Sequence, residues 1–97
     1  MANEARSVPY EPTTDLRSPE DIAAYLEAPL EDESEQILLL ALRNAAAAIG
    51  GVAELSRRAG LSRETLYRTL SKDGNPKFST LRSILKGFGL TLSIHKV

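Results

Sequence analysis

The chain has no cysteine, which excludes disulfides, thiol nucleophiles and thiolate metal sites together. Its one histidine, His95, has no second histidine or cysteine with which to share a metal. No serine has a nearby base to activate it. The expectation is a protein that is not an enzyme and carries no metal, cofactor or small-molecule ligand. There is also no apolar run of the roughly 18 residues that a bilayer crossing needs, so no membrane partner is expected. The N-terminus lacks a basic segment followed by an apolar one, so no secretory signal is expected and the cytoplasm is the expected compartment.

What remains is a soluble chain of 97 residues, 42% apolar, enough for one compact domain with a short extension. A net charge of −1 conceals a division. Residues 1–36 hold ten acids against Arg6 and Arg17, a net of −8. Residues 37–97 hold ten bases against Glu54, Glu64 and Asp73, a net of +7. The basic part suits a polyanion, and the acidic part suits a basic protein or serves solubility.

Along the chain, residues 1–15 contain Pro9 and Pro12 with little apolar periodicity, and read as extended or disordered when alone. Ser18-Pro19-Glu20-Asp21 opens a helix over about 18–27: Ser18 caps, Pro19 fits the first turn, and Asp21 takes the capping-box position. Ile22, Tyr25 and Leu26 form its apolar stripe, and Pro29 is read as lying past its end. The acids from Glu31 to Glu35 are read as solvated rather than metal-binding, and they precede a helix from about Ser34 to Ile49, whose dipole they favour. Its segment Ile37 to Leu42 is apolar almost all round, which predicts core with a spare face for another chain. Gly50-Gly51 ends it.

Residues 52–71 then carry a two-helix pattern. Leu55 and Ala59 close the first helix on the core, Gly60 takes a left-handed turn, Leu61 anchors that turn, and Ser62 caps the second helix. Leu66 and Leu70 hold the second helix down. Ser62, Arg63, Glu64, Tyr67, Arg68 and Ser71 are left facing outward, where such a helix can read base edges in a major groove. Past the loop Asp73 to Pro76, Ser79 or Thr80 is expected to cap a last helix with Leu81, Ile84, Leu85 and Phe88 on one face, stopped by Gly89. Leu90, Leu92 and Ile94 alternate with Thr91, Ser93 and His95, a strand signal. This chain supplies no partner strand, so a second copy is the simplest source, and these three residues are the expected dimerisation contacts.

The two-helix stretch resembles the helix-turn-helix of Xre/Cro-type regulators, in which a small residue, a turn glycine, an aliphatic and a serine recur, here Ser56, Gly60, Leu61 and Ser62. Two positions depart from that pattern. Val52 stands where the family has Gln to hold a phosphate, a role that backbone amides at Gly51 and Val52 can replace. The aliphatic expected at Thr69 is at Leu70. A longer string looks like the addiction-module antidote proteins, HigA-like antitoxins. It comprises Asp15-Leu16, Ile22 to Leu26, Gly60 to Tyr67, Gly74-Asn75-Pro76 and Gly89-Leu90.

The resemblance implies an all-α, five-helix Xre/Cro-type fold with a C-terminal strand: an acidic arm over 1–33 that carries the first helix and binds toxin, then the helix-turn-helix domain over 34–97. It implies an antitoxin that neutralises a basic RelE/HigB-type ribonuclease toxin and represses its own operon by binding palindromic operator DNA as a homodimer. The expected toxin contacts are Leu16, Ile22, Tyr25 and Leu26. On the DNA side, Arg63 would read base edges and Arg68 a base or phosphate, while Tyr67 would meet a thymine methyl or phosphate, or else pack beside Leu61. Lys72 and Lys77 would meet phosphates. Arg57 and Arg58 read as plain surface charges. A stand-alone repressor without a toxin is the alternative, and an interaction module without DNA is disfavoured by the +7 balance.

Overall fold

The computed structural model describes Leu16 and residues 18–97; the segment 1–15 lies outside it. The described residues form five helices and no strand: α1 (Pro19–Glu31), α2 (Glu35–Ala48), α3 (Val52–Ala59), α4 (Arg63–Thr69) and α5 (Phe78–Gly87). None of these helices is long and apolar enough to cross a membrane.

The starts of α1 and α2 follow side-chain chemistry. The free amides of a first turn need an acceptor, and a serine hydroxyl supplies one. Ser18 Oγ accepts from the Asp21 amide at 3.1 Å, and Ser34 Oγ accepts from Ile37 at 3.4 Å. The end of α5 closes as a paired turn, with Leu90 N donating to Leu85 O at 2.8 Å and Gly89 N to Lys86 O at 2.9 Å. Gly89 sits at φ 83°, the left-handed geometry that such a closure requires.

Two boundaries differ from the sequence expectation. The first helix runs past Pro29, which lies inside α1 and is fully buried. Proline forfeits one backbone hydrogen bond in a helix, but near the end of α1 its ring fills core space, and its carbonyl still accepts from Asp32 at 3.2 Å. The last helix begins at Phe78 rather than after Ser79 or Thr80. Lys77 is its extended N-cap and gives no side-chain hydrogen bond. Pro76 holds the approach extended, so helical geometry starts as soon as the chain clears it.

One core serves all five helices. Leu26 of α1, Leu39 and Leu42 of α2, Leu55 of α3, Leu66 of α4, Ile84 of α5 and Phe88 after it are fully buried. α1 lies on α2, which also meets α3, and α3 packs against both α4 and α5. This arrangement explains the apolar girth of α2. Leu39, Ala41, Leu42, Ala45 and Ala46 are buried while Leu40 is exposed, so α1 takes much of the face that a second chain was expected to cover. Leu16 joins Ile22 and Leu26 in this core.

Residues 90–97 carry no regular secondary structure. A strand exists only where its backbone pairs, and a single copy offers no ladder. Leu90 is half-buried, whereas Ile94 is 97% exposed.

The loop leaving α4 turns back closely on that helix. A Cβ built on Gly74 would lie 2.0 Å from the Thr69 carbonyl oxygen, and backbone cannot yield as a flexible side chain would. Gly74→Ala is therefore expected to lower stability by about 1–3 kcal/mol in urea unfolding; an unchanged midpoint would show that the loop sits elsewhere.

Candidate nucleic-acid interface

The candidate site is built on the turn between α3 and α4. Gly60 lies at φ 71°, ψ 27°, a left-handed conformation that side chains with a Cβ resist. Ser56 fastens the turn from one helical turn upstream. Its carbonyl accepts from Gly60 N at 3.0 Å and from Leu61 N at 3.3 Å, and its hydroxyl donates to the Leu61 carbonyl. Ser62 then starts α4: its Oγ accepts from the Thr65 amide at 3.0 Å and donates to Thr65 Oγ1 at 2.9 Å.

Helix α4 is only seven residues long, and a helix so short does not hold itself in water. Its inward side supplies the hold. Leu66 is fully buried, and both Thr69 (8% exposed) and Leu70 (2%) face the core, so the shift of the aliphatic from 69 to 70 adds a buried position without removing one. At the far end, Arg43 Nη1 reaches from α2 to the Leu70 carbonyl at 2.5 Å.

All eight residues expected at this surface, Ser62, Arg63, Glu64, Tyr67, Arg68, Ser71, Lys72 and Lys77, are exposed. Six lie on α4 or at its two ends and Lys72 follows directly, while Lys77 stands apart as the N-cap of α5. Two of them are already committed: the Ser62 hydroxyl to its cap, and the Ser71 hydroxyl to the Arg68 carbonyl at 2.9 Å. Tyr67 is 64% exposed, so its ring stands largely in solvent. Arg63, Arg68, Lys72 and Lys77 make no ion pair among the described residues.

The cations of α3 differ. Glu54 receives Arg57 Nη2 at 2.5 Å and Arg58 Nε at 2.7 Å. Spacings of three and four place all three on one helix face, a signal that the sequence carried. The hydrogen bonds from Arg57 first, and then from Arg58, hold the Glu54 carboxyl down at about 2. Arg63, Arg68, Lys72 and Lys77 therefore stand, with Arg82 and Lys86 of α5, as exposed cations without an ion pair among the described residues. Arg43, by contrast, bonds a residue 27 positions away, and no local pattern announces such a contact.

The four expected toxin contacts are placed otherwise. Leu16, Ile22 and Leu26 are buried in the chain's own core, so their apolar surface is spent on folding. Tyr25 is half-buried, and its hydroxyl accepts from Asn44 Nδ2 at 3.0 Å. The outward side of α1 carries Glu20, Asp21, Ala24, Glu27, Leu30 and Glu31. No group of three metal-ligating side chains occurs among the described residues.

A depressed carboxyl value means that the Glu54 pair is intact above the ordinary carboxylate range and is lost as pH falls from there towards about 2. A carboxylate NMR titration should therefore place the Glu54 midpoint near 2, and Arg57→Ala should raise it. A midpoint in the usual range for glutamate would contradict the observed geometry.

Over residues 7–96 the sequence matches the family described as probable addiction module antidote protein. It is 36% identical over 81 residues to an uncharacterized protein of Haemophilus influenzae, covering 84% of this chain and 82% of that one. No solved structure matches. The match extends from the acidic N-terminal part through α5 and nearly to the last residue, so the chain belongs to the family of addiction-module antidote proteins.

Proposed function

We propose that this antidote protein acts in two ways: it binds operator DNA of its own module through α4, and it neutralises a basic RelE/HigB-type ribonuclease toxin through its acidic N-terminal part. One observation carries the DNA reading. The exposed face of α4 presents Arg63 and Arg68 without ion-pair partners among the described residues, on a helix whose start, inward side and end are all fastened. A guanidinium held in this way can meet the N7 and O6 acceptors of guanine in the major groove, while Glu64 can accept from the amino group of cytosine. Arg68, Lys72 and Lys77 supply phosphate contacts, which set register and make binding salt-dependent.

The toxin reading rests on the family, since an antidote implies a toxin, and on charge. A toxin that cleaves RNA is basic, and the outward face of α1 offers Glu20, Asp21, Glu27 and Glu31 beside the exposed Leu30. This face, rather than the buried Leu16, Ile22 and Leu26, is the proposed contact with the folded protein. A toxin acting on ribosomes sets the pair in the cytoplasm. Family membership favours this reading over a stand-alone repressor.

A homodimer completes the proposal. Leu92, Ile94 and Val97 are exposed apolar residues on a segment whose backbone has no ladder partner in one copy, and pairing with a second copy would satisfy both. A two-fold protein would read a palindromic operator with half-sites about 10 base pairs, or whole turns, apart.

Fluorescence anisotropy with DNA from the protein's own promoter tests the central part. Arg63→Ala is expected to weaken operator binding about tenfold or more, with toxin capture intact; undiminished operator affinity would remove Arg63 from the interface. Reversing Glu27 and Glu31 to lysine should slow toxin association several-fold and spare DNA binding. If the doubly reversed protein neutralises toxin as before, the toxin lies elsewhere.

A further inference from the structure

Arg43 belongs to α2, but its contact is with α4. Nη1 donates to the carbonyl of Leu70, the residue on which α4 closes. Carbonyls at a helix end lack partners within the helix, and a cation there also answers the negative end of its dipole. The only basic residue in the last turn of α4 itself is Arg68, whose side chain is exposed. Arg43 therefore supplies from another helix the cap that α4 does not provide for its last carbonyl.

The surroundings make that bond consequential. Between α2 and α4 runs a groove of about 330 Å³, lined by Ala46, Val52, Tyr67 and Ser71 together with Arg43. Along this edge the two helices are not in full contact, and the Arg43 guanidinium spans the gap. The remaining anchors of α4 are its Ser62 cap and the inward Leu66, Thr69 and Leu70. Thr69 and Leu70 hold the far end inward by packing, and the Arg43 bond is the side-chain hydrogen bond that ties that end to α2.

We infer that Arg43 is a positioning residue for the proposed DNA contact, holding the C-terminal end of α4 on α2 so that Arg63, Tyr67 and Arg68 keep their register. The inference rests on the reading of α4 as the DNA-binding helix. Arg43 also has further N–H donors beside exposed Tyr67 and Ser71, so a direct phosphate contact is the competing role. The two differ in the DNA-free protein. A displaced helix end opens the amides beside it to exchange, whereas a lost phosphate contact leaves their exchange as it was.

The test compares the full-length wild type with Arg43→Met, Arg43→Lys and Tyr25→Phe, using promoter DNA at several salt concentrations and amide hydrogen exchange without DNA. Arg43→Met is expected to lose about tenfold in operator affinity, with faster exchange at Leu70 and Ser71. Arg43→Lys, which keeps a charge and a donor, should recover most of the affinity. Tyr25→Phe removes the hydrogen bond on the α1 side of α2 and should leave affinity as it was. A loss of affinity in Arg43→Met with exchange at Leu70 and Ser71 unchanged overturns positioning in favour of a phosphate contact. Unchanged affinity in that variant overturns it outright, as does an equal loss in Tyr25→Phe. If the wild type shows no salt-dependent binding to any DNA, the reading of α4 itself fails; the exchange result then still decides whether Arg43 holds the helix.

Discussion

Ser56 closes one helix and aims the next. Its carbonyl takes two amides from the turn and its hydroxyl takes the Leu61 carbonyl, while Gly60 adopts the left-handed backbone that brings those groups within reach. With the turn fixed, Ser62 starts α4 at a defined point, and Leu66, Thr69 and Leu70 fall inward. Everything proposed for the outward face follows from that phase. A one-residue slip would rotate α4 by about 100°, burying charge and exposing leucine.

Charge is arranged with the same economy. Glu54 occupies both cations at the end of α3, while Arg63, Arg68 and Lys72 make no ion pair among the described residues. The acids of α1 lie on its outward side, and its apolar residues are in the core. A chain with net charge −1 thus holds the cations of α4 and the acids of α1 without an ion pair between them among the described residues. An antidote needs such a separation if one copy is to meet both a polyanion and a basic protein.

The sequence made legible what depends on near neighbours. The caps at Ser18 and Ser62, the left-handed Gly60, the helix stop at Gly89 and the outward set on α4 are all matters of spacing within a few residues. What it left hidden depends on tertiary packing. Pro29 reads as a helix stop until its burial is seen. Ile22 and Leu26 read as a sticky stripe for a partner, yet α2 consumes them. A periodic apolar face announces that something covers it, without saying whether the cover is the same chain. Arg43 is the extreme case, because a bond across 27 residues leaves no trace in local pattern. The C-terminal alternation falls between these cases, since its pairing depends on a chain outside the single copy.

In the function proposed above, DNA and toxin engage separate faces of one small fold. NMR shift mapping of the labelled protein, first with promoter DNA and then with the toxin from the same module, tests this separation. DNA should perturb the amides of α4 and the loop to Lys77, and toxin those of α1, with little overlap. Perturbation of α1 by DNA, or of the outward face of α4 by toxin, would contradict it.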